Sequence, residues 1–369
     1  MSIHHSAQPL HISFIGSAGI PNRYGGFESF LEHCAPFLAD KGHHVRVTCD
    51  ANLYDDTTTV FKGVERVFLT VPANGGWSLI HDMLAFCKIF RDSTHIVVLG
   101  VSGGLWFPLF SLFCNLTGKR LLLNVDGVEW RRTKFGYGKR LLLRVLDLLA
   151  QSFAHIVIYD NVALRAYLIG SAKPKAKCIA YSGDHVLRIP EISRAPDTAL
   201  TICRIEPENN LDMLIEGVLL SKIRKYSIVG NWSHSHYSRQ LRQRYANEER
   251  LALLDPIYGT LQLAQLRESC GFYIHGHSVG GTNPSLVEML YYDCPILCFD
   301  VDFNRFTAGD SVNYFKSAQT LALQLEVMPT VEVGLRRDLR ERYTAATIAN
   351  QYLEVIREGN AEPTDCPPQ

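Results

Sequence analysis

The sequence predicts an α/β chain made of two doubly wound, Rossmann-like domains that face each other across a cleft. Three observations lead there. Strand-like and helix-like stretches alternate along both halves, the order that crossover-connected parallel sheets require. Residues 183–197 (GDHVLRIPEISRAPD) carry two prolines and no periodicity, and the alternation restarts after them. Each half also holds a glycine-bearing loop between a strand and a helix, at Gly19–Gly26 and again at Gly276–Asn283. A length of 369 residues suits two domains of ordinary size. The boundaries read as a first domain over 1–183, a linker over 184–197, a second domain over 198–335, and a C-terminal helix and tail over 336–369.

The elements follow in chain order. His11–Ser17 reads as the first strand, Phe27–Asp40 as a helix stopped at Gly42, and Val45–Cys49 as the second strand. A strand pair over 57–72 turns at Lys62-Gly63. Then come strand His95–Gly100, helix Leu105–Leu116, strand Arg120–Val125, helix Tyr137–Phe153 with leucines spaced for a buried face, and strands His155–Tyr159 and Lys177–Tyr181. The second half opens with strand Leu200–Ile205, helix Leu211–Ser221, strand Tyr226–Gly230, helix Ser238–Ala246, strand Arg250–Leu254 and helix Thr260–Ser269. Strand Cys270–Ile274, helix Ser285–Tyr292, strand Pro295–Phe299 and helices over 317–327 and Leu335–Glu358 complete the reading.

Composition excludes several function classes. Hydrophobic residues make up 47% and charged residues 20%, the balance of a soluble globular enzyme. Net charge is zero and no basic stripe is evident, so a nucleic-acid partner is not expected. Ten cysteines are scattered without C-x-x-C or zinc spacing and read as reduced thiols of a cytoplasmic chain. The N-terminus has no signal pattern. The longest apolar run, Leu105–Phe113, contains Pro108 and falls short of the roughly 18 residues of a membrane span. The chain is expected to be soluble, or to sit on a membrane surface.

The chemistry concentrates at His275–Glu288 (HGHSVGGTNPSLVE). Gly280 and Gly281 let a backbone approach a ligand, Thr282 or Asn283 can cap a helix, and Pro284 suits its first turn. Unpaired N–H groups and the helix dipole would make the turn an anion site, with Glu288 about one turn in. An ordinary strand-to-helix connection is the alternative. Arg204, at the end of a strand, could clamp a diphosphate or pair with Glu206 or Glu208. In the first half, Gly25 and Gly26 serve either close ligand approach or a tight turn; they do not form G-x-G-x-x-G, so no dinucleotide cofactor is implied. Asp126 and Glu129 stand at the carboxyl end of a strand, where ligands of parallel sheets gather. His275 and His277 alternate as metal ligands would, but no third ligand is evident, and no metal is expected. Asp300-Val301-Asp302 resembles a metal-binding D-x-D but reads more readily as a loop. Arg336, Arg337, Arg340 and Arg342 read as a solvated helix face.

Four stretches together resemble the GT-B glycosyltransferases of family 4, and more narrowly the bacterial rhamnosyltransferase branch that builds surface polysaccharides: GIPNRYGGFESFLE from Gly19, NVDGVEWRRTK from Asn124, RIEPENN from Arg204, and HGHSVGGTNPSLVE from His275. The similarity spans roughly residues 11–320. It implies a retaining transferase with a nucleotide-sugar donor, most simply dTDP-L-rhamnose, and a lipid-linked saccharide acceptor, without a cofactor. The first domain would be the acceptor side and the second the donor side, with the C-terminal helix placed to pack back on the first. Arg204 matches the family's diphosphate-binding arginine and Glu288 the second of its two glutamates. Asn209 stands where the family has a lysine, Gly280 where it has the first glutamate, and Asp126 where many relatives have a histidine.

The expected donor site is therefore Gly25, Gly26, Arg204, Asn209, His277, Gly280, Gly281, Thr282, Asn283 and Glu288, and the expected catalytic residues are Asp126, Glu129 and Arg204. Lys139, Arg140 and Arg144, alternating with leucines, suggest peripheral attachment to the inner face of the cell membrane. A sugar-nucleotide epimerase of the same fold and a non-catalytic sugar-nucleotide-binding subunit are the alternatives.

Overall fold

A computed structural model describes residues 8–23, 25–125, 127–131, 135–327 and 333–358. The chain divides into two compact units: the described residues up to 130, those over 135–180 and the segment from 345 form the first, and 181–344 the second.

In the first unit the apolar runs become β1 (His11–Ile15), β2 (His44–Asp50), β3 (Val60–Phe61), β4 (Val64–Leu69), β5 (His95–Leu99), β6 (Arg120–Asn124), β7 (Ile156–Tyr159) and β8 (Ala176–Cys178), in sheet order β3-β4-β2-β1-β5-β6-β7-β8. All pairs are parallel except β3 with β4, whose turn is Lys62-Gly63, both at positive φ. Helices Gly26–Asp40 and Ala345–Glu358 pack together: Phe30 and Tyr352 lie 5.0 Å apart, and Asn124 Nδ2 donates to Tyr352 Oη at 2.6 Å. Helices Ser78–Ile89, Phe107–Thr117 and Tyr137–Phe153 form a second group. Phe86 stacks on Phe110 at 3.8 Å, and a Cβ on Gly104 would meet the Leu146 carbonyl oxygen at 2.1 Å, so only glycine allows that approach.

Two findings depart from the sequence reading here. Helix Ser78–Ile89 is unexpected because its buried face includes His81 and Asp82, which interrupt the apolar period. Helix Tyr137–Phe153 is where expected, but its leucine stripe is not the buried one. Leu146, Asp147, Ala150 and Gln151 face inward, while Leu141, Leu142, Val145 and Leu148 are exposed.

Asp82 carries a testable consequence. It is 1% exposed; Ser102 Oγ donates to its Oδ2 at 2.9 Å, and Oδ1 is buried with no partner among the described residues, which disfavours the charged form. Burial pushes its pKa from 3.8 up to about 7. A folded pKa above the unfolded one means stability is full below about 4 and falls as pH rises to about 7. Across that window the cost is about 4 kcal/mol. Asp82→Asn, which keeps the shape and the neutral state, is expected to raise Tm at pH 8 and leave it unchanged at pH 4. Equal Tm shifts at both pH values would refute a buried, titrating Asp82.

The second unit holds β9 (Ala195–Ile202), β10 (Lys225–Val229), β11 (Leu251–Leu254), β12 (Cys270–His275), β13 (Ile296–Phe299) and β14 (Asn313–Phe315), all parallel, in the order β11-β10-β9-β12-β13-β14. This is a doubly wound order with its switch point between β9 and β12. Its core gathers Trp232, Tyr226, Phe272, Ile274 and Leu297, all essentially inaccessible.

β9 begins at Ala195, inside the stretch read as a linker, and that stretch is tied to the second unit. Arg188 Nε pairs with Glu268 at 2.7 Å and Nη2 with Asp293 at 3.1 Å, while Tyr292 Oη donates to the Leu187 carbonyl at 2.7 Å. Helix Asp302–Ala308 and β14 were not expected. The single helix expected from Leu335 is two, Val333–Arg342 and Ala345–Glu358. Between them the Tyr343 carbonyl accepts from Gly183 N at 2.9 Å.

The arginine-rich helix is not simply a solvated face. Arg336 is 1% exposed and donates through Nη1 to the carbonyls of Tyr292 (2.9 Å) and Cys294 (2.8 Å), capping the chain that leads into β13. Arg340 Nη2 pairs with Asp293 at 2.8 Å.

Candidate functional site

The second unit's switch point places two segments side by side. β9 and β12 pair in parallel, Tyr273 opposite Leu200, so the chain leaving Ile202 toward Arg204 and the chain leaving His275 toward Gly281 emerge together at the carboxyl edge. Diverging crossovers on either side of such a point leave a crevice there.

Arg204 is exposed, and among the described residues no carboxylate pairs with it. The salt bridge to Glu206 or Glu208 that was the alternative is not formed. Its carbonyl instead fixes the loop: Asn209 Nδ2 donates to it at 2.7 Å and Glu206 N at 2.9 Å. Asn209, 5% exposed, also meets His277 Nδ1 through its Oδ1 at 3.0 Å. The residue standing in the lysine position therefore joins the two loops.

The glycine loop is held from below. Ser278 N and Oγ both donate to the Glu208 carbonyl, at 2.9 and 2.8 Å, and Asn304 Nδ2 donates to the His277 carbonyl at 2.9 Å. At Gly276 a Cβ would meet the Asn209 carbonyl oxygen at 2.2 Å. Gly280 has φ +145°, and a Cβ there would meet His277 Nε2 at 2.7 Å, so a side chain is excluded both by conformation and by the histidine ring. Gly281 is half-buried and Thr282 is 4% exposed. Asn283 caps helix Pro284–Met289, accepting from Ser285 N at 3.0 Å. That helix ends three residues earlier than expected and has only 6 residues, so backbone amides held by the cap matter more here than a macrodipole does.

Arg204, Asn209, His277 and Gly280 are thus brought together in one loop cluster. Glu288, a turn into the helix, has protein partners that the sequence did not reveal. Arg267 pairs with its Oε2, and His185 Nε2 lies 3.3 Å from its Oε1. Burial pushes the Glu288 pKa up, but the Arg267 charge and the His185 hydrogen bond outweigh it and hold the group ionised. The arginine on the preceding helix was the only sequence sign of this pair.

His277 is hydrogen-bonded to Asn209, whereas His275 is buried with no partner for its Nε2 among the described residues. Burial holds the His275 pKa down to about 3, so the ring is neutral, and the His275 and His277 rings lie 6.0 Å apart. In the D-x-D stretch, Asp300 pairs with Arg305 and, at 3.3 Å, with Lys316.

In the first unit, Gly25 and Gly26 start helix Gly26–Asp40, with Gly25 as its extended N-cap. The loop before them is anchored by the helix's own glutamates: Glu28 accepts from Ala18 N and Glu32 from Asn22 N, both at 2.7 Å. Two other glycines of this region are the more demanding ones sterically. Gly16 (φ +87°) and Gly19 (φ +105°) would set a Cβ at 2.4 Å from the Leu99 carbonyl oxygen and 2.5 Å from Cys49 Sγ. Asp126 lies outside the described residues. Glu129 is half-buried in the turn Glu129–Arg131, next to Trp130, whose Nε1 donates to Asp147 at 3.2 Å. Arg144 stacks on Trp130 at 4.0 Å and Arg140 Nε donates to its carbonyl at 2.9 Å. Lys139 lies over the Phe135 ring at 4.0 Å, so all three cations assigned to a membrane are at least partly engaged within the unit.

Solved structures give this architecture a class. The chain is similar to the sucrose-phosphate synthase of Thermosynechococcus elongatus, with 14% identity, 95% of this chain and 99% of that one covered, and a TM-score of 0.73. It is also similar to the catalytic domain of starch synthase IV from Arabidopsis thaliana bound to ADP and acarbose (12% identity, 96% and 100% covered, TM-score 0.69). The UDP-forming α,α-trehalose-phosphate synthase of Burkholderia xenovorans in complex with glucose-6-phosphate is a third (11% identity, 94% and 100% covered, TM-score 0.64). The fold is that of GT-B glycosyltransferases.

More particularly, residues 10–184 match the family described as a domain of unknown function, DUF1972. A search of the curated proteins found no match. No helix among the described residues is long and apolar enough to cross a membrane.

Proposed function

We propose that the chain is a retaining glycosyltransferase that moves a sugar, L-rhamnose from dTDP-rhamnose, to a lipid-linked saccharide acceptor in polysaccharide biosynthesis at the inner face of the cell membrane. The observation that carries the reading is Arg204, an exposed residue with no carboxylate partner among the described residues, at the switch point whose other strand leads into the Gly280–Asn283 loop. A cation with no ion pair among the described residues, on a loop that Asn209 ties to the glycine loop, suits a diphosphate. Departure of the leaving group builds negative charge there, and donors already in place stabilise it without reorganising. Glu288 would accept from the ribose hydroxyls, held ionised by Arg267. Asp126 and Glu129 would orient the acceptor hydroxyl or take its proton. Retention, rhamnose and the lipid carrier rest on the sequence resemblance. The ADP and UDP-forming neighbours support a nucleotide-sugar donor in general.

Incubation with a panel of nucleotide sugars, with and without a lipid-linked acceptor, tests this by product mass spectrometry. Acceptor-dependent transfer is expected. Epimerised or hydrolysed sugar without acceptor would establish the epimerase reading, and binding without turnover the non-catalytic one.

Transfer is further expected to survive EDTA. Arg204 and the loop amides supply the positive charge that a metal supplies elsewhere, and Asp300 is already paired with Arg305 and Lys316. Activity lost on chelation and restored by manganese would overturn this.

A further inference from the structure

We infer that the first unit holds a second anion site, a basic cavity at the amino-terminal edge of its sheet that takes the phosphate of an anionic membrane lipid. The inference deepens the membrane attachment proposed above and rests on it, because it names the group that is bound and the residues that bind it.

The cavity is lined by Arg120, His155, Lys175 and Lys177, with Ser111 and Phe153 at its wall. Arg120 opens β6, His155 precedes β7 and Lys175 precedes β8, so the parallel register of the three strands gathers these three side chains at one edge, with Lys177, opposite Ile158, further along β8. This edge is opposite the carboxyl ends that ligands of such sheets usually occupy. Among the described residues no carboxylate lines the cavity.

His155 shows which kind of ligand fits. Its Nδ1 accepts from Leu121 N at 3.0 Å, so the ring proton sits on Nε2. That nitrogen is buried and has no acceptor, and a buried donor left unmade is costly. An anion's oxygen would satisfy it. Burial, with Arg120 and Lys175 nearby, holds the His155 pKa below its ordinary value, so Nδ1 stays free to accept. Lys175 Nζ holds the carbonyls of Ser152 (3.0 Å) and Ala154, which cancels the negative end of helix Tyr137–Phe153 beside the cavity. Arg120 is exposed, and no ion pair holds it among the described residues.

The neighbourhood selects a lipid as the source of that anion. Ser111 and Phe153 belong to the two helices whose outer faces expose Leu109 (47%), Leu112 (51%), Phe113 (48%), Leu116 (73%), Leu141 (53%) and Leu142 (56%). An apolar surface of this extent marks an interaction site. Within 105–123 and 137–155 the only acidic residue is Asp147, which is buried, so the exposed charges of this face are all positive. A second copy docked symmetrically would set those charges against their own kind. An anionic bilayer meets both features, acyl chains against the leucines and phosphate in the cavity.

The test is flotation of the full chain with vesicles of phosphatidylcholine alone and of phosphatidylcholine with phosphatidylglycerol, at low and moderate salt. Alongside it, thermal shift with inorganic phosphate and sedimentation without lipid are measured. Wild type is expected to float only with phosphatidylglycerol and to be released by salt. Arg120→Glu is expected to weaken partition about tenfold or more, His155→Phe to weaken it less, and Leu112→Ser with Leu142→Ser to abolish it; each variant's Tm shows that it is folded. Undiminished binding by folded Arg120→Glu overturns the cavity assignment and leaves membrane attachment standing. Failure of wild type to float overturns both, while nucleotide-dependent thermal protection and transfer to a water-soluble acceptor report separately on the donor site. Protection by inorganic phosphate without flotation makes the cavity a free-phosphate site and overturns the lipid. A lipid-free dimer lost in the double leucine variant assigns the face to a second copy and also overturns it.

Discussion

Arg204→Ala is expected to lower kcat/KM for sugar transfer by about 10²–10³-fold while leaving Tm within a few degrees of wild type. Its guanidinium is exposed and makes no ion pair among the described residues; only its backbone carbonyl is used by the loop, and alanine keeps that carbonyl. The fold should lose almost nothing. The loss falls on the transition state, where charge on the departing diphosphate meets no counter-charge. Both kcat and kcat/KM should drop, because the interaction strengthens as the bond breaks. Nucleotide protection against heat should weaken in parallel. Arg204→Lys, a point charge without the fork, should recover part of the rate. Wild-type turnover in Arg204→Ala would remove the residue from the donor site and with it the main support for the proposed function.

Glu288→Gln should behave differently, costing stability as well as activity. Its carboxylate neutralises Arg267, whose side chain is 6% exposed, and meets His185 on its other oxygen. Glutamine keeps the shape and strands a buried cation, a change of about 3–5 kcal/mol. For a unit of this size that is roughly 10 °C in Tm. The pH dependence has a definite sign. A folded pKa below the ordinary carboxylate value contributes stability that is present above the unfolded pKa and lost as pH falls through the folded one. Wild type should therefore lose its advantage over Glu288→Gln on acidification. Replacing both partners by apolar residues, Arg267→Met with Glu288→Leu, should restore most of the Tm without restoring transfer. If Glu288→Gln melts with wild type at neutral pH, the ion pair contributes nothing and Glu288 is free to serve the ligand alone.

The pairing of Glu288 shows where sequence reading reaches its limit. Spacing placed the residue one turn into a capped helix after a glycine loop, and the structure has that helix and its Asn283 cap. The partner comes from another helix, Thr260–Ser269, and a charge pair across two elements leaves no local pattern. Arg336 is the same case in reverse. Four arginines alternating with acids read as a wet helix face, yet one of them lies beneath the chain entering β13 and saturates its carbonyls. Helix Tyr137–Phe153 had the right limits and the wrong inward face, because a 3.6-residue period says that one face is apolar and not which surface it meets.

The sequence by itself determined the alternation of strands and helices, the turn at Lys62-Gly63, and the glycine loop ending in a capped helix, since each depends on local sterics, periodicity or capping. The order of the strands was beyond it. Placing β9 beside β12, and so Arg204 beside His277 and Gly280, is a choice among crossovers that depends on which faces bury together. The burial of Arg267 against Glu288, and the exposure of leucines beside a basic cavity, were likewise decided only when distant segments packed. Burial is a property of the surroundings, and a residue acquires it from neighbours far away in the chain.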